Sequence, residues 1–141
     1  MSDVKRFLVL CTGNRCRSQM AEGWLRHFAG DRAVVRSAGT QPKGVHPLSI
    51  KYMAEAGVDI AGHTSDHVDQ YRDEHFDVVV TVCNSARQAC PTFANADRLV
   101  HQPFDDPDAA SEAERDAVFR RVRDEIRDWA REFVRAECEE K

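Results

Sequence analysis

In the run Cys11-Thr12-Gly13-Asn14-Arg15-Cys16-Arg17-Ser18, five residues separate a cysteine from an arginine. A loop of that length between a strand and a helix can curl until its amides converge on one point, while the next helix adds its positive end. Arg17 can close over the same point with a planar fork suited to tetrahedral oxyanions. The same field favours the Cys11 thiolate as a nucleophile. Ser18 is placed either to donate to the Cys11 sulfur or to cap the helix, and the two roles are compatible. The bland reading of the run is a strand-end cysteine beside a glycine turn, with Arg17 in a surface ion pair. Other reactive groups lie further on: Cys83 and Cys90, seven positions apart, and the pair Asp105-Asp106 ahead of Pro107.

These residues need elements to position them. Lys5–Cys11 reads as a buried first strand, and a helix from about Ser18 to Phe28 carries Met20, Ala21, Trp24, Leu25 and Phe28 at helical spacing. Ala33–Ser37 is a second short strand closed by Gly39. His46-Pro47 opens a helix with Leu48, Tyr52, Met53 and Ala56 on its apolar side and Gly57 at its C-cap. Phe76–Val82 is the most apolar strand and is expected at the centre, and Arg98–His101 is a weaker fourth. A long helix from Ser111 to about Cys138 has the stripe Val118, Val122, Ile126, Trp129 and Phe133. Of its 31 residues to the end of the chain, 18 are charged, eight basic and ten acidic, which marks a solvated face.

Strands alternating with helices imply an α/β fold, a three-layer sandwich around a mainly four-stranded parallel sheet. Ligands in such folds sit beyond the carboxyl ends of the strands. Cys11, Cys83 and the Asp105-Asp106 loop each follow a strand, so all three are expected at one edge of the sheet.

The chain has 141 residues, 20 of them Lys or Arg and 24 Asp or Glu, for a formal charge of -4. One domain over residues 1–141 is expected, large enough to bury roughly two thirds of its unfolded surface. The acidic excess argues against nucleic-acid or membrane-surface binding. Apolar stretches such as Phe7–Cys11 and Val78–Val82 are far too short to span a bilayer. Without an apolar leader the expected location is cytoplasmic, where five cysteines read as free thiols. No Gly-rich run ends in Lys-Ser/Thr, and the first turn lacks Gly-x-Gly-x-x-Gly, so nucleotide loops of those kinds are not expected. Zinc is not expected either: neither Cys11/Cys16 nor Cys83/Cys90 has knuckle spacing, and Arg17 puts a cation beside one pair.

The run from Cys11 through Gln19-Met20-Ala21-Glu22-Gly23-Trp24 closely resembles the opening of the thioredoxin-coupled arsenate reductases, which share the Rossmann-like fold of the low-molecular-weight protein tyrosine phosphatases. The likeness continues in Ser37-Ala38-Gly39, Thr64-Ser65-Asp66, Val79–Cys83, Cys90-Pro91, Phe104–Pro107 and Phe119–Ile126. Both families use the first motif. The cysteines at 83 and 90 and the early Asp106-Pro107 step favour the reductases over a tyrosine phosphatase, the alternative reading.

The resemblance implies arsenate as substrate, with phosphate or sulfate competing, and residues 12–18 (Thr12, Gly13, Asn14, Arg15, Cys16, Arg17 and Ser18) as the oxyanion cradle. It implies Cys11 as nucleophile, Asp106 as general acid in preference to Asp105, and Cys83 and Cys90 as the redox pair. Two thiols becoming a disulfide supply the two electrons that arsenic(V) needs, and a third thiol moves the disulfide outward. Thioredoxin is the implied reductant; Asn84 and Gln102-Pro103 depart from the family pattern and keep glutaredoxin or a small thiol open as donors. No tightly bound cofactor is implied, although some members hold a potassium ion at positions matching Asn14, Glu22, Ser37 and Asp66. Cys16 and Cys138 are expected to be structural or incidental. Arg15 replaces a small serine of the family; it either raises oxyanion affinity or points to solvent.

Overall fold

The computed structural model describes residues 4–83 and 93–139. Four parallel strands, β1 (Lys5–Cys11), β2 (Ala33–Gly39), β3 (Phe76–Thr81) and β4 (Ala96–His101), form one sheet in the order β2-β1-β3-β4. The chain runs from β1 to one neighbour and later returns to pair β3 on its other side. That reversal makes the carboxyl ends of β1 and β3 the switch point of the sheet, where open α/β folds leave a crevice.

Helices α1 (Arg17–Ala29), α2 (Pro47–Glu55) and α3 (Arg115–Val134) cover one face. Phe7, Val9, Val78 and Val80 point into that layer and pack with Met20, Trp24, Leu25, Tyr52, Phe119, Val122 and Ile126. Alternate residues Leu8, Leu10 and Val79 face the other way, against Val68 and Tyr71 of a 3-10 turn and against Phe93. Both sides of β1 and β3 are therefore buried, which accounts for their unbroken apolar runs.

The elements differ from the sequence expectation mainly at their ends. α1 starts one residue earlier, at Arg17. α3 starts at Arg115 because Ser111–Glu114 closes a separate turn, with the Glu114 N–H bonded to the Ser111 carbonyl at 3.0 Å. Phe119, Val122, Ile126, Ala130 and Phe133 form its buried stripe, while Val118 and Trp129 flank the core partly buried. β4 begins at Ala96, two residues earlier than expected; it is an edge strand, so residues 97–99 are exposed and carry no burial signal. Among the described residues, no helix is long and apolar enough to cross a membrane.

Candidate active site

The loop between β1 and α1 bounds a cavity of about 180 Å³, lined by residues 11–17 together with Lys43, Asp106 and Asp108. The N-cap of α1, Cys16, makes no side-chain capping bond, and the 13-residue helix opens on this cavity at Arg17. The loop holds its curl through Asn14, a fully buried non-glycine residue at φ 49°. Its Oδ1 accepts the Asp66 N–H at 2.8 Å, which fixes the amide so that Nδ2 donates to Ser18 Oγ (2.8 Å) and Ser37 Oγ (3.0 Å). The stabilisation offsets the cost of a left-handed backbone at a residue with a Cβ.

Cys11 is buried at 3 % exposure, with its sulfur 3.1 Å from the Asn14 N–H and 3.0 Å from Ser18 Oγ. A Cys11 thiolate can only accept, so against it the Ser18 hydroxyl is the donor, while the Ser18 oxygen accepts from Asn14. Ser18 therefore serves the nucleophile and does not cap α1. Arg17, 5 % exposed, donates to the carbonyls of Phe104 (3.2 Å) and Val82 (3.4 Å) and stands 3.6 Å from Asp106 Oδ2. One guanidinium thus ties together the loops that follow β3 and β4.

The two aspartates of the acidic loop separate clearly. Asp106 lines the cavity, whereas Asp105 turns outward to Arg121 at 3.0 Å. Cys83 is buried, one residue beyond Val82, whose N–H bonds to the Leu10 carbonyl at 3.0 Å. That bond sets the end of β3 beside the end of β1, and Cys11 and Cys83 share one core cluster. Cys90 lies outside the described residues. Burial pushes the Cys16 thiol up to about 12, against a partly opposing hydrogen bond from Ser49, so it stays protonated at neutral pH.

Arg15 does not point free into solvent: its guanidinium pairs with Asp108 at 3.0 Å and reaches the Gly44 carbonyl at 3.3 Å. Lys43 and Asp108 are cavity-lining residues that sequence reasoning missed. The signal available for Lys43 was its place in the Pro-Gly-punctuated loop after β2, which opens at the same sheet edge. That loop is stitched to the nucleophile loop by Gln41 N–H to Thr12 O at 2.9 Å and Lys43 N–H to Gly13 O at 3.0 Å.

Asn14, Glu22 and Ser37 meet in one buried polar chain, which half-buried Asp66 joins only through its backbone N–H. Ser37 Oγ donates to Glu22 Oε1 at 2.6 Å, and Glu22 Oε2 is held by Arg26 at 2.7 Å. A second cavity of about 240 Å³ adjoins Glu22, Ser37 and Asp66, but Arg26 and Arg36 line it too. A guanidinium already sits on Glu22 and a backbone N–H on Asn14 Oδ1, so protein donors engage part of the oxygen set expected for a potassium ion. Among the described residues, no group of three or more His, Cys, Asp or Glu side chains is placed to hold a metal ion.

The sequence matches the family profile described as low molecular weight phosphotyrosine protein phosphatase over residues 6–141. It is 50 % identical over 119 residues to an arsenate reductase of Halalkalibacterium halodurans, covering 83 % of this chain and 86 % of that one. A solved arsenate reductase in the phosphate binding state superposes with a TM-score of 0.82 at 31 % identity, covering 96 % and 99 % of the two chains. A thioredoxin-dependent arsenate reductase of Corynebacterium glutamicum superposes with a TM-score of 0.68 at 25 % identity, over 94 % of this chain and 60 % of that one. With a nucleophile loop at the switch point and likeness over nearly its whole length, the chain belongs to the low molecular weight phosphotyrosine protein phosphatase family, among its arsenate reductases.

Proposed function

We propose that this chain reduces arsenate to arsenite by a thiol relay from Cys11 through Cys83 to Cys90, with thioredoxin restoring the thiols. The observation that carries the reading is the Cys11 sulfur, held by two donors at the floor of a cation-lined oxyanion cavity with a carboxyl group opposite. Arsenate sits on the amides of residues 12–18 and on Arg17. The Cys11 thiolate attacks arsenic(V), a sulfur–arsenic bond forms, and one arsenate oxygen leaves as water after Asp106 delivers a proton. Cys83 then attacks the Cys11 sulfur. The sulfur–sulfur bond forms, the sulfur–arsenic bond breaks, and its electron pair stays on arsenic, which departs as arsenite. Cys90 displaces Cys11 from Cys83, and the Cys83–Cys90 disulfide is reduced from outside. The thioredoxin dependence of the Corynebacterium relative supports that donor. No step of this route needs a potassium ion.

The loop chemistry up to the first covalent adduct also serves phosphate esters, so phosphatase activity accompanies the reading. The test is a coupled assay following NADPH oxidation through thioredoxin reductase and thioredoxin on addition of arsenate. Cys83→Ser and Cys90→Ser should each stop arsenate turnover while phosphate-ester cleavage persists. Ester cleavage in the wild type with no arsenate-dependent oxidation would assign the chain to the phosphatases instead.

A further inference from the structure

The two carboxylates that line the cavity lie two residues apart and are held in different ways. Asp108 has both oxygens engaged by other parts of the fold. Oδ2 pairs with Arg15 Nη1 at 3.0 Å, from the nucleophile loop, and Oδ1 with His46 Nε2 at 3.1 Å, from the start of α2. His46 is fixed in turn. Its Nδ1 accepts the Leu48 N–H at 3.0 Å, which assigns the ring proton to Nε2, facing Asp108. Its ring packs on Phe119 of α3 with centroids 5.2 Å apart, and its own N–H bonds to the Arg15 carbonyl at 3.2 Å. Two separate elements thereby converge on one carboxylate of the acidic loop, with α3 packed behind one of them.

Asp106 is bound to that carboxylate's residue through the backbone. The Asp108 N–H donates to Asp106 Oδ1 at 3.0 Å, which leaves Oδ2 facing Arg17. Wherever the Asp108 side chain is tethered, its N–H aims the Asp106 carboxyl. We infer that Asp108 is a positioning residue: with Arg15 and His46 it clasps the acidic loop onto the nucleophile loop and sets the angle at which Asp106 delivers its proton. The inference rests on the acid role proposed for Asp106. It also gives Arg15 a purpose that a small residue could not serve.

Asp108 and Arg15 are each about one-third exposed. A pair that wet contributes little to global stability, so its loss should register in the chemical step and not in the melting temperature. A misplacement of the order of 1 Å can cost about a hundredfold in rate, which sets the upper scale of the effect.

The experiment is a double-mutant cycle on the full chain, reading single-turnover arsenite formation at saturating arsenate. Asp108→Ala should slow the step about tenfold, within that positioning scale, with the half-saturating arsenate concentration changed less than about twofold. In the Asp106→Asn background the same substitution should change the rate less than about twofold, because residues acting through one group are not additive. Asp108→Glu should recover part of the rate, and thermal unfolding should be nearly unmoved throughout. Equal losses in both backgrounds would overturn the inference and make Asp108 an independent donor or binding group. So would a loss confined to arsenate affinity, or one that tracks thermal stability. If Asp106→Asn alone leaves the rate intact, the acid assignment itself fails and the inference falls with it. A large Asp106→Asn loss with an additive Asp108 loss removes only the inference.

Discussion

At the residue scale, two cysteines five positions apart on one loop have opposite fates. Cys11 Sγ is met by the Asn14 N–H and the Ser18 hydroxyl, whereas the Cys16 thiol is buried beneath the loop and raised to about 12. The consequence for stability has a definite sign. The unfolded thiol releases its proton near its ordinary value of 9.0 and the folded one near 12, so between those values the native state holds the extra proton. Stability from this group is fully present below pH 9 and is lost as the pH climbs toward 12, with a limiting slope of about 1.4 kcal/mol per pH unit. Cys16→Ala should therefore flatten the fall in unfolding free energy between pH 9 and 11, measured by urea titration, while retaining arsenate turnover at neutral pH. Tyr71, also raised to about 12 by burial and by Asp66, contributes equally to both proteins and cancels in the comparison.

At the element scale, the site depends on how closely β1 and β2 bring their ends. β2 finishes at Gly39, directly under the nucleophile loop. A Cβ there would stand 2.4 Å from the Thr12 carbonyl oxygen and 2.9 Å from that of Cys11. Both obstacles are backbone, so neither can rotate away, and the loop itself would have to lift. Gly39→Ala should lower stability by about 1–3 kcal/mol, the usual scale for forced overpacking. It should weaken phosphate binding, read by isothermal calorimetry, more than Ala38→Gly does one position away.

Legibility in the sequence followed the same physics. β1 and β3 are buried on both faces and announced themselves as unbroken apolar runs. The first residues of β4 did not, since an edge strand with Asp97, Arg98 and Leu99 exposed has no pattern to read. The Cys11–Arg17 loop was legible because all its parts are adjacent in the chain. The Arg15–Asp108 clasp was not, because its partners lie 93 positions apart and neither is unusual in its own neighbourhood. His46 was read correctly as a helix start, but its second partner at Asp108 exists only in the folded chain. The acidic loop follows β4, and Asp106, directly before proline, is the one of its first two aspartates that lines the cavity; its acid role belongs to the proposed mechanism.

At the scale of the whole molecule, the parallel order β2-β1-β3-β4 is what suits so small a scaffold to the proposed electron relay. It sets the end of β1, bearing Cys11, against the end of β3, bearing Cys83, through the Val82–Leu10 backbone bond. In the proposed relay the oxidising equivalent passes from Cys11 through Cys83 to Cys90, seven positions further along the chain. The stoichiometry of that route is fixed by electron counting. The chain has five cysteines, and one arsenate takes two electrons, so one turnover without an external reductant consumes two thiols. Enzyme exposed to excess arsenate, quenched in acid and titrated under denaturing conditions should therefore show three free thiols and one arsenite per chain, and thioredoxin should restore all five. Peptide mapping should locate the bond between positions 83 and 90 in the wild type and between 11 and 83 in Cys90→Ser, because that variant lacks the sulfur that carries the disulfide onward. Five free thiols after exposure, or a bond that omits Cys83, would show that the shared core of the two sheet ends does not serve as the electron path.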